Sequence, residues 1–219
     1  KLRNLELFQI NISSFTPSYG GFEQGTSRII NAISYMNNLR ELELGFSLNL
    51  TNRALYDFKD SLKQIRALKS ISLSFIECRN ISDDGYKYIR DGLRESKSLE
   101  SIELDFSYNN NLVDSSIRIL CKGWQELTKL ETLRLYLSQT KITDQALSDL
   151  AHSLTKLQLL KELKVDLTGC EKYSEIGLES LKNQIEALKN LDSLSLVVSL
   201  FATGIYQILE KFRSDLLIP

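Results

Sequence analysis

Proline is almost missing from this 219-residue chain, which carries it only at Pro17 and Pro219. Because proline lacks a backbone N–H and breaks helix and sheet interiors, its scarcity suits a backbone engaged almost wholly in hydrogen-bonded elements. No stretch rich in proline, glycine or serine interrupts the sequence, so a single domain over residues 1–219 is expected rather than two bodies on a tether. Histidine is limited to His152, and cysteine to Cys78, Cys121 and Cys170, without the Cys/His spacing of a zinc site. The glycine cluster YGGFEQG from Tyr19 has neither the lysine nor the hydroxyl residue of a phosphate-binding loop. With no general base in evidence, no catalytic, cofactor-binding or metal-ligating residue is assigned, and the chain is not expected to be an enzyme. Charge of one sign is also lacking: 27 Lys and Arg face 28 Asp and Glu, a formal −1, with a sequence pI near 6.0. General nucleic-acid binding needs a basic stripe that displaces counterions and is not expected. No apolar run reaches the roughly 20 residues of a membrane helix, and no basic start followed by an apolar stretch marks a signal peptide. The chain opens in mid-pattern at Leu2 without an initiator methionine, from which we expect a longer parent protein.

What the sequence has in abundance is one phrase: a leucine, two polar residues, an apolar residue, a polar residue and a third apolar residue. It reads LRNLEL from Leu2, LRELEL from Leu39, LKSISL from Leu68, LESIEL from Leu99, LETLRL from Leu130, LKELKV from Leu160 and LDSLSL from Leu191. Successive starts are 37, 29, 31, 31, 30 and 31 residues apart, so a unit of about 30 residues is stacked some seven times. Within the phrase the alternation is that of a strand, and it continues to Phe46, Phe75, Phe106, Leu137, Leu167 and Val198. Before each new strand, apolar residues fall 3, 6, 10 and 13 positions back, as at Leu127, Trp124, Leu120 and Ile117 ahead of Leu130. That spacing holds four side chains on one face of an α-helix. Ser82, Thr143 and Ser174 stand where a helix begins and can accept from the free first-turn amides, while Asp83, Asp144 and Glu175 put negative charge at the positive end of the helix dipole.

Parallel strands stack about 4.8 Å apart, whereas helices with their side chains are roughly 10 Å across. Layering strand on strand and helix on helix therefore bends the stack, strands inside. The expected fold is an α/β solenoid or horseshoe, with parallel strands on the concave face and helices on the convex face. Trp124 occupies a slot taken by Leu62, Leu154 and Ile185 elsewhere, so it is read as core; His152 lies off the apolar helix face and is read as solvated. Cys78 and Cys170 both follow their strand leucine by ten residues, three units apart. That is roughly 14 Å along the inner edge, beyond the reach of a disulfide, and free thiols favour a reducing, intracellular setting.

The unit resembles the leucine-rich repeat in its longer, helix-containing form, that of the ribonuclease-inhibitor-like proteins. The segments ISDDG (Ile81 to Gly85), ITDQA (Ile142 to Ala146) and YSEIG (Tyr173 to Gly177) match its turn and helix start, and LTGCEKYSEIGL (Leu167 to Leu178) is similar to the cysteine-containing repeats of F-box adaptors. The departures are an irregular asparagine after the strand and a cysteine there only at Cys78 and Cys170. The resemblance implies a non-catalytic protein-protein interaction scaffold with a protein partner, cytoplasmic, as a subunit of a larger complex such as a ciliary, axonemal or other cytoskeletal assembly. It leaves two alternatives: a GTPase-activating protein of the Ran-activator type, or an F-box-like ubiquitin-ligase substrate adaptor.

Residues between the apolar strand slots point away from the core. One row reads Glu6, Glu43, Ser72, Glu103, Arg134, Lys164, Ser195, acidic first and basic later; the next reads Phe8, Gly45, Ser74, Asp105, Tyr136, Asp166, Val197. Tyrosine and arginine combine contact area with directed hydrogen bonds, which makes Arg134, Tyr136 and Asp105 candidates for partner contact, with Glu43, Glu103, Lys164 and Asp166 around them. The alternative is a solvated sheet on which Arg134 and Glu103, or Lys164 and Asp166, neutralise each other. A second candidate surface is the insertion in the first unit, where Tyr19 and Phe22 on a glycine-flanked loop either form a binding tip or cover the end of the core. At the other end, Ile205, Ile208 and Phe212 fit helix slots while Asp215 breaks the pattern, so the stack is expected to finish there.

Overall fold

The computed structural model describes residues 4–11, 22–46, 48 and 50–198. Among them seven strands alternate with six helices: β1 (Leu7–Asn11), α1 (Phe22–Ile33), β2 (Glu41–Gly45), α2 (Asn52–Leu62), β3 (Ser70–Ser74), α3 (Asp83–Glu95), β4 (Ser101–Asp105), α4 (Asp114–Trp124), β5 (Thr132–Tyr136), α5 (Asp144–Leu154), β6 (Glu162–Leu167), α6 (Glu175–Ile185) and β7 (Ser193–Val198). The strands form one parallel sheet in chain order, and each helix packs on the next. Tyr19, the rest of the insertion up to Gly21, and Ile205, Ile208, Phe212 and Asp215 lie outside the described residues.

The register places Leu42, Ile71, Ile102, Leu133, Leu163 and Leu194 side by side, as the repeat requires. The first unit departs from expectation. Phe8 pairs with Leu42 and Ile10 with Leu44, so the first strand phrase is LELFQI from Leu5, not LRNLEL from Leu2. Leu7, which the earlier frame sent inward, is 56% exposed, while Leu5, Phe8 and Ile10 pack on the core. The first step is then 34 residues, from Leu5 to Leu39. Both frames alternate correctly over LRNLELFQI; the second keeps Leu5 inward and turns Phe8 and Ile10 to the core in place of Leu2 and Leu7, and larger apolar area wins.

The core runs the length of the stack between sheet and helices. At the strand ends Phe46, Phe75 and Phe106 stack ring on ring, centroids 5.1 and 4.9 Å apart, and each is buried. Burying one such side chain contributes about 1.5–3 kcal/mol. Trp124 is core, with its Nε1 donating to Ser153 Oγ at 3.2 Å. His152 is exposed.

Ten residues after the strand leucine stands a buried side chain that ties one unit to the last. Asn109 Nδ2 donates to the carbonyls of Phe75, 2.7 Å, and Phe106, 3.0 Å. Cys170 Sγ donates to the carbonyl of Leu137 at 3.0 Å and lies 3.3 Å from Thr140 Oγ1, which donates to that same carbonyl at 2.7 Å. Asparagine is irregular at this slot because a thiol or a hydroxyl can also supply the donor. None of the three cysteines is in a disulfide, and all are buried.

A second ladder joins the helix starts. The N–H and hydroxyl of Thr143 both donate to the Asp114 carboxylate, at 2.8 and 2.7 Å, and those of Ser174 donate to Asp144, both at 2.6 Å. Thr143 and Ser174 also accept from the first-turn amides of Gln145 and Ile176. Ser82 differs from expectation: its hydroxyl accepts from Asn52 Nδ2 at 2.6 Å and makes no bond to its own helix. The glycines of ISDDG and YSEIG leave space for this ladder, since a Cβ at Gly85 or Gly177 would run into the side chain of Asn52 or Asp144. At the α3–α4 joint the rung is broken. Val113 caps α4, offers Asp83 no hydroxyl, and donates its N–H to Ser116 Oγ at 3.4 Å.

Candidate functional site

Alternate residues of each strand face away from the helices, so the open face of the sheet carries three rows of side chains. The outer row on the helix-start side is Asn11, Gly45, Ser74, Asp105, Tyr136, Asp166, Val197, and the middle row is Gln9, Glu43, Ser72, Glu103, Arg134, Lys164, Ser195. Gln9 and Asn11 stand where Glu6 and Phe8 were expected, through the shift of the first strand. The third row, Leu7, Glu41, Ser70, Ser101, Thr132, Glu162, Ser193, adds two carboxylates that were not singled out. They were legible as the polar residue two positions before each middle-row residue.

The rows bring the candidates together as follows. Arg134 Nε donates to Glu162 Oε1 at 2.7 Å and its Nη2 to Oε2 at 3.0 Å; Nη1 reaches Glu103 Oε2 at 3.4 Å. The guanidinium pKa is raised, first by these Glu162 hydrogen bonds. Arg134 is therefore neutralised on the sheet, chiefly by Glu162 and secondarily by Glu103. Tyr136 sits in register between Asp105 and Asp166, half-buried, with Lys164 Nζ 4.8 Å from its ring centroid. Lys164 makes no ion pair with Asp166. Asp105 and Asp166 each accept a local backbone N–H, from Ser107 and Thr168, both at 2.9 Å, which shapes the turn after the strand. Glu43 is exposed and has no cation beside it among the described residues. Phe22 is the first residue of α1.

Across the seven strands the open face carries six carboxylates, Glu41, Glu43, Glu103, Asp105, Glu162 and Asp166, against Arg134 and Lys164 alone. That is a formal −4 on one face of a chain whose total is −1. Among the described residues no group of three His, Cys, Asp or Glu is placed to hold a metal ion, and no helix is long and apolar enough to cross a membrane.

No family model matches the chain, and no curated protein sequence matches it. Solved structures do. The leiomodin-1 actin-binding site 2 superposes with a TM-score of 0.54 at 10% identity, covering 72% of this chain and 86% of that one. The fold is a leucine-rich-repeat solenoid. Two further structures are more distant: a tropomodulin C-terminal domain from Caenorhabditis elegans, TM-score 0.46 at 11% identity over 88% of this chain and 92% of that one, and internalin C2 from Listeria monocytogenes, 0.38 at 20% over 78% and 68%. The likeness is one of backbone architecture, and the open sheet face carries side chains of this chain's own.

Proposed function

We propose that this solenoid is a non-catalytic scaffold that binds a protein partner through its concave strand face and the adjoining loops at the strand ends. One observation carries the reading: the parallel sheet is covered by helices on a single face. Parallel sheets are ordinarily buried on both faces, and an open one, shaped into a concave strip with Tyr136 and Lys164 on it, is suited to receive another chain. The lack of disulfides at Cys78, Cys121 and Cys170 favours an intracellular setting. The helix-containing unit favours the ribonuclease-inhibitor-like form, and membership of a larger assembly, cytoskeletal or ciliary, follows the same resemblance. Leiomodin's actin-binding site shares the backbone at 10% identity, so the partner of this chain is argued from its own sheet.

Cross-linking of the native protein in its cells, with mass-spectrometric mapping, tests the proposal. Cross-links from the partner to lysines bordering the sheet, with Lys164 protected, are expected; cross-links confined to the helical layer would refute it. A GTP hydrolysis assay with a Ran-type GTPase separates the scaffold from the activating-protein alternative.

A further inference from the structure

We infer that the occupant of the concave face is a basic, extended polypeptide segment lying along β3, a refinement that rests on the scaffold reading above. The middle of the N-terminal half of the sheet is low. Strand β3 presents only Ser70, Ser72 and Ser74, and beside Ser74 lies Gly45, over which the Asn11 side chain folds so closely that a Cβ would sit 2.6 Å from its Oδ1. On either side rise carboxylates, Glu41 and Glu43 from β2, Glu103 and Asp105 from β4. Between them is a cavity of about 120 Å³, room for a side-chain head group where liquid water takes about 30 Å³ per molecule.

Among the described residues only Glu103 of this trough meets a cation, Arg134 at 3.4 Å. Arg134 is held chiefly by Glu162 on β6, and Lys164 lies over Tyr136, which leaves Glu43 with no cation beside it among the described residues. The two acidic walls stand two strand spacings apart, about 9.6 Å. That is too wide for one divalent ion, whose oxygen ligands lie within about 2.6 Å, and wide enough for one extended backbone sending lysine or arginine side chains to both walls. Backbone amides of such a segment can also bond the serine hydroxyls of the floor. The same face repels phosphate backbones and anionic lipid, so charge complementarity selects a cationic polypeptide.

The test uses the whole chain, a short fluorescein-labelled peptide of alternating arginine and serine, and its glutamate counterpart, read by fluorescence anisotropy over a salt series. The arginine peptide should bind, weakening with salt, and the glutamate peptide should not. Glu43→Lys and the trough-filling Ser72→Trp should each weaken binding at least about tenfold, while Glu179→Lys on α6, an equal change of net charge, should leave it unaltered. Equal losses in Glu43→Lys and Glu179→Lys would reduce the effect to bulk charge and overturn the inference. So would dimerisation of the chain that Glu43→Lys abolishes, since the occupant is then a second copy. If the native partner cross-links beside the sheet but the arginine peptide fails to bind, this inference falls and the scaffold reading stands; cross-links to the helical layer remove both.

Discussion

Arg134 is clasped by Glu162, two parallel hydrogen bonds of 2.7 and 3.0 Å joining β5 to β6 across the open sheet. The geometry is the fork-to-fork arrangement that guanidinium and carboxylate form best. It makes Arg134 a strut between the two strands. We therefore expect Arg134→Ala to lower stability by about 1 kcal/mol, with Glu162→Gln costing a similar amount and the double variant less than the two together. Urea denaturation of the three variants measures this; strictly additive losses would show that the pair contributes no coupling. Lys164→Ala, by contrast, should stay within about 0.5 kcal/mol of wild type.

Asn109 serves two buried carbonyls at once, those of Phe75 and Phe106. Asn109→Leu removes both side-chain hydrogen bonds while each carbonyl keeps a backbone N–H, from Cys78 at 3.0 Å and from Asn109 itself at 3.3 Å, so a cost of about 1–3 kcal/mol is expected at about 0.5–1.5 per bond lost. Asn109→Cys should cost less, because Cys170 fills the corresponding slot and reaches the equivalent carbonyl. A chemical-denaturation series in which leucine is no worse than cysteine would mean that the slot selects for size and not for a donor.

The broken rung between α3 and α4 can be completed. Val113→Thr supplies the hydroxyl through which Thr143 and Ser174 grip the preceding helix's first residue, here Asp83, and also restores a proper N-cap. A gain of about 1 kcal/mol is expected, visible as a raised denaturation midpoint, and it should vanish in an Asp83→Ala background if the inter-unit bond is its source.

Burial pushes the thiols of Cys78 and Cys121 up to about 12 and that of Cys170 upward as well. In the unfolded chain a thiol titrates near 8.5. Above that pH the unfolded state has lost protons that the native state keeps, so it binds fewer, and stability must fall as pH rises. Between about pH 7 and about pH 9.5 the urea midpoint of wild type should decline, and replacing the three cysteines by alanine should flatten that decline. An unchanged slope would place the alkaline sensitivity elsewhere.

The repeat phrase by itself determined the architecture, because its two periods, alternation in the strand and the 3-4-3 spacing in the helix, each leave one face apolar, and stacking is the way to bury both. It also determined that Leu133, Trp124 and the phenylalanines after the strands face inward and that His152 does not. Tertiary structure decided the frame of the first strand, where LRNLELFQI supports two alternations and only packing against Leu42 and Leu44 chooses Phe8 and Ile10. It likewise decided what the polar slots do. Cys170, Thr140 and Asn109 look unrelated in sequence yet answer carbonyls at the same place in successive units, and Arg134 looks free until Glu162, 28 residues away, comes alongside. Those relations run between units, through hydrogen bonds whose partners are fixed by the register of one strand on the next, and a single unit's sequence carries no record of them.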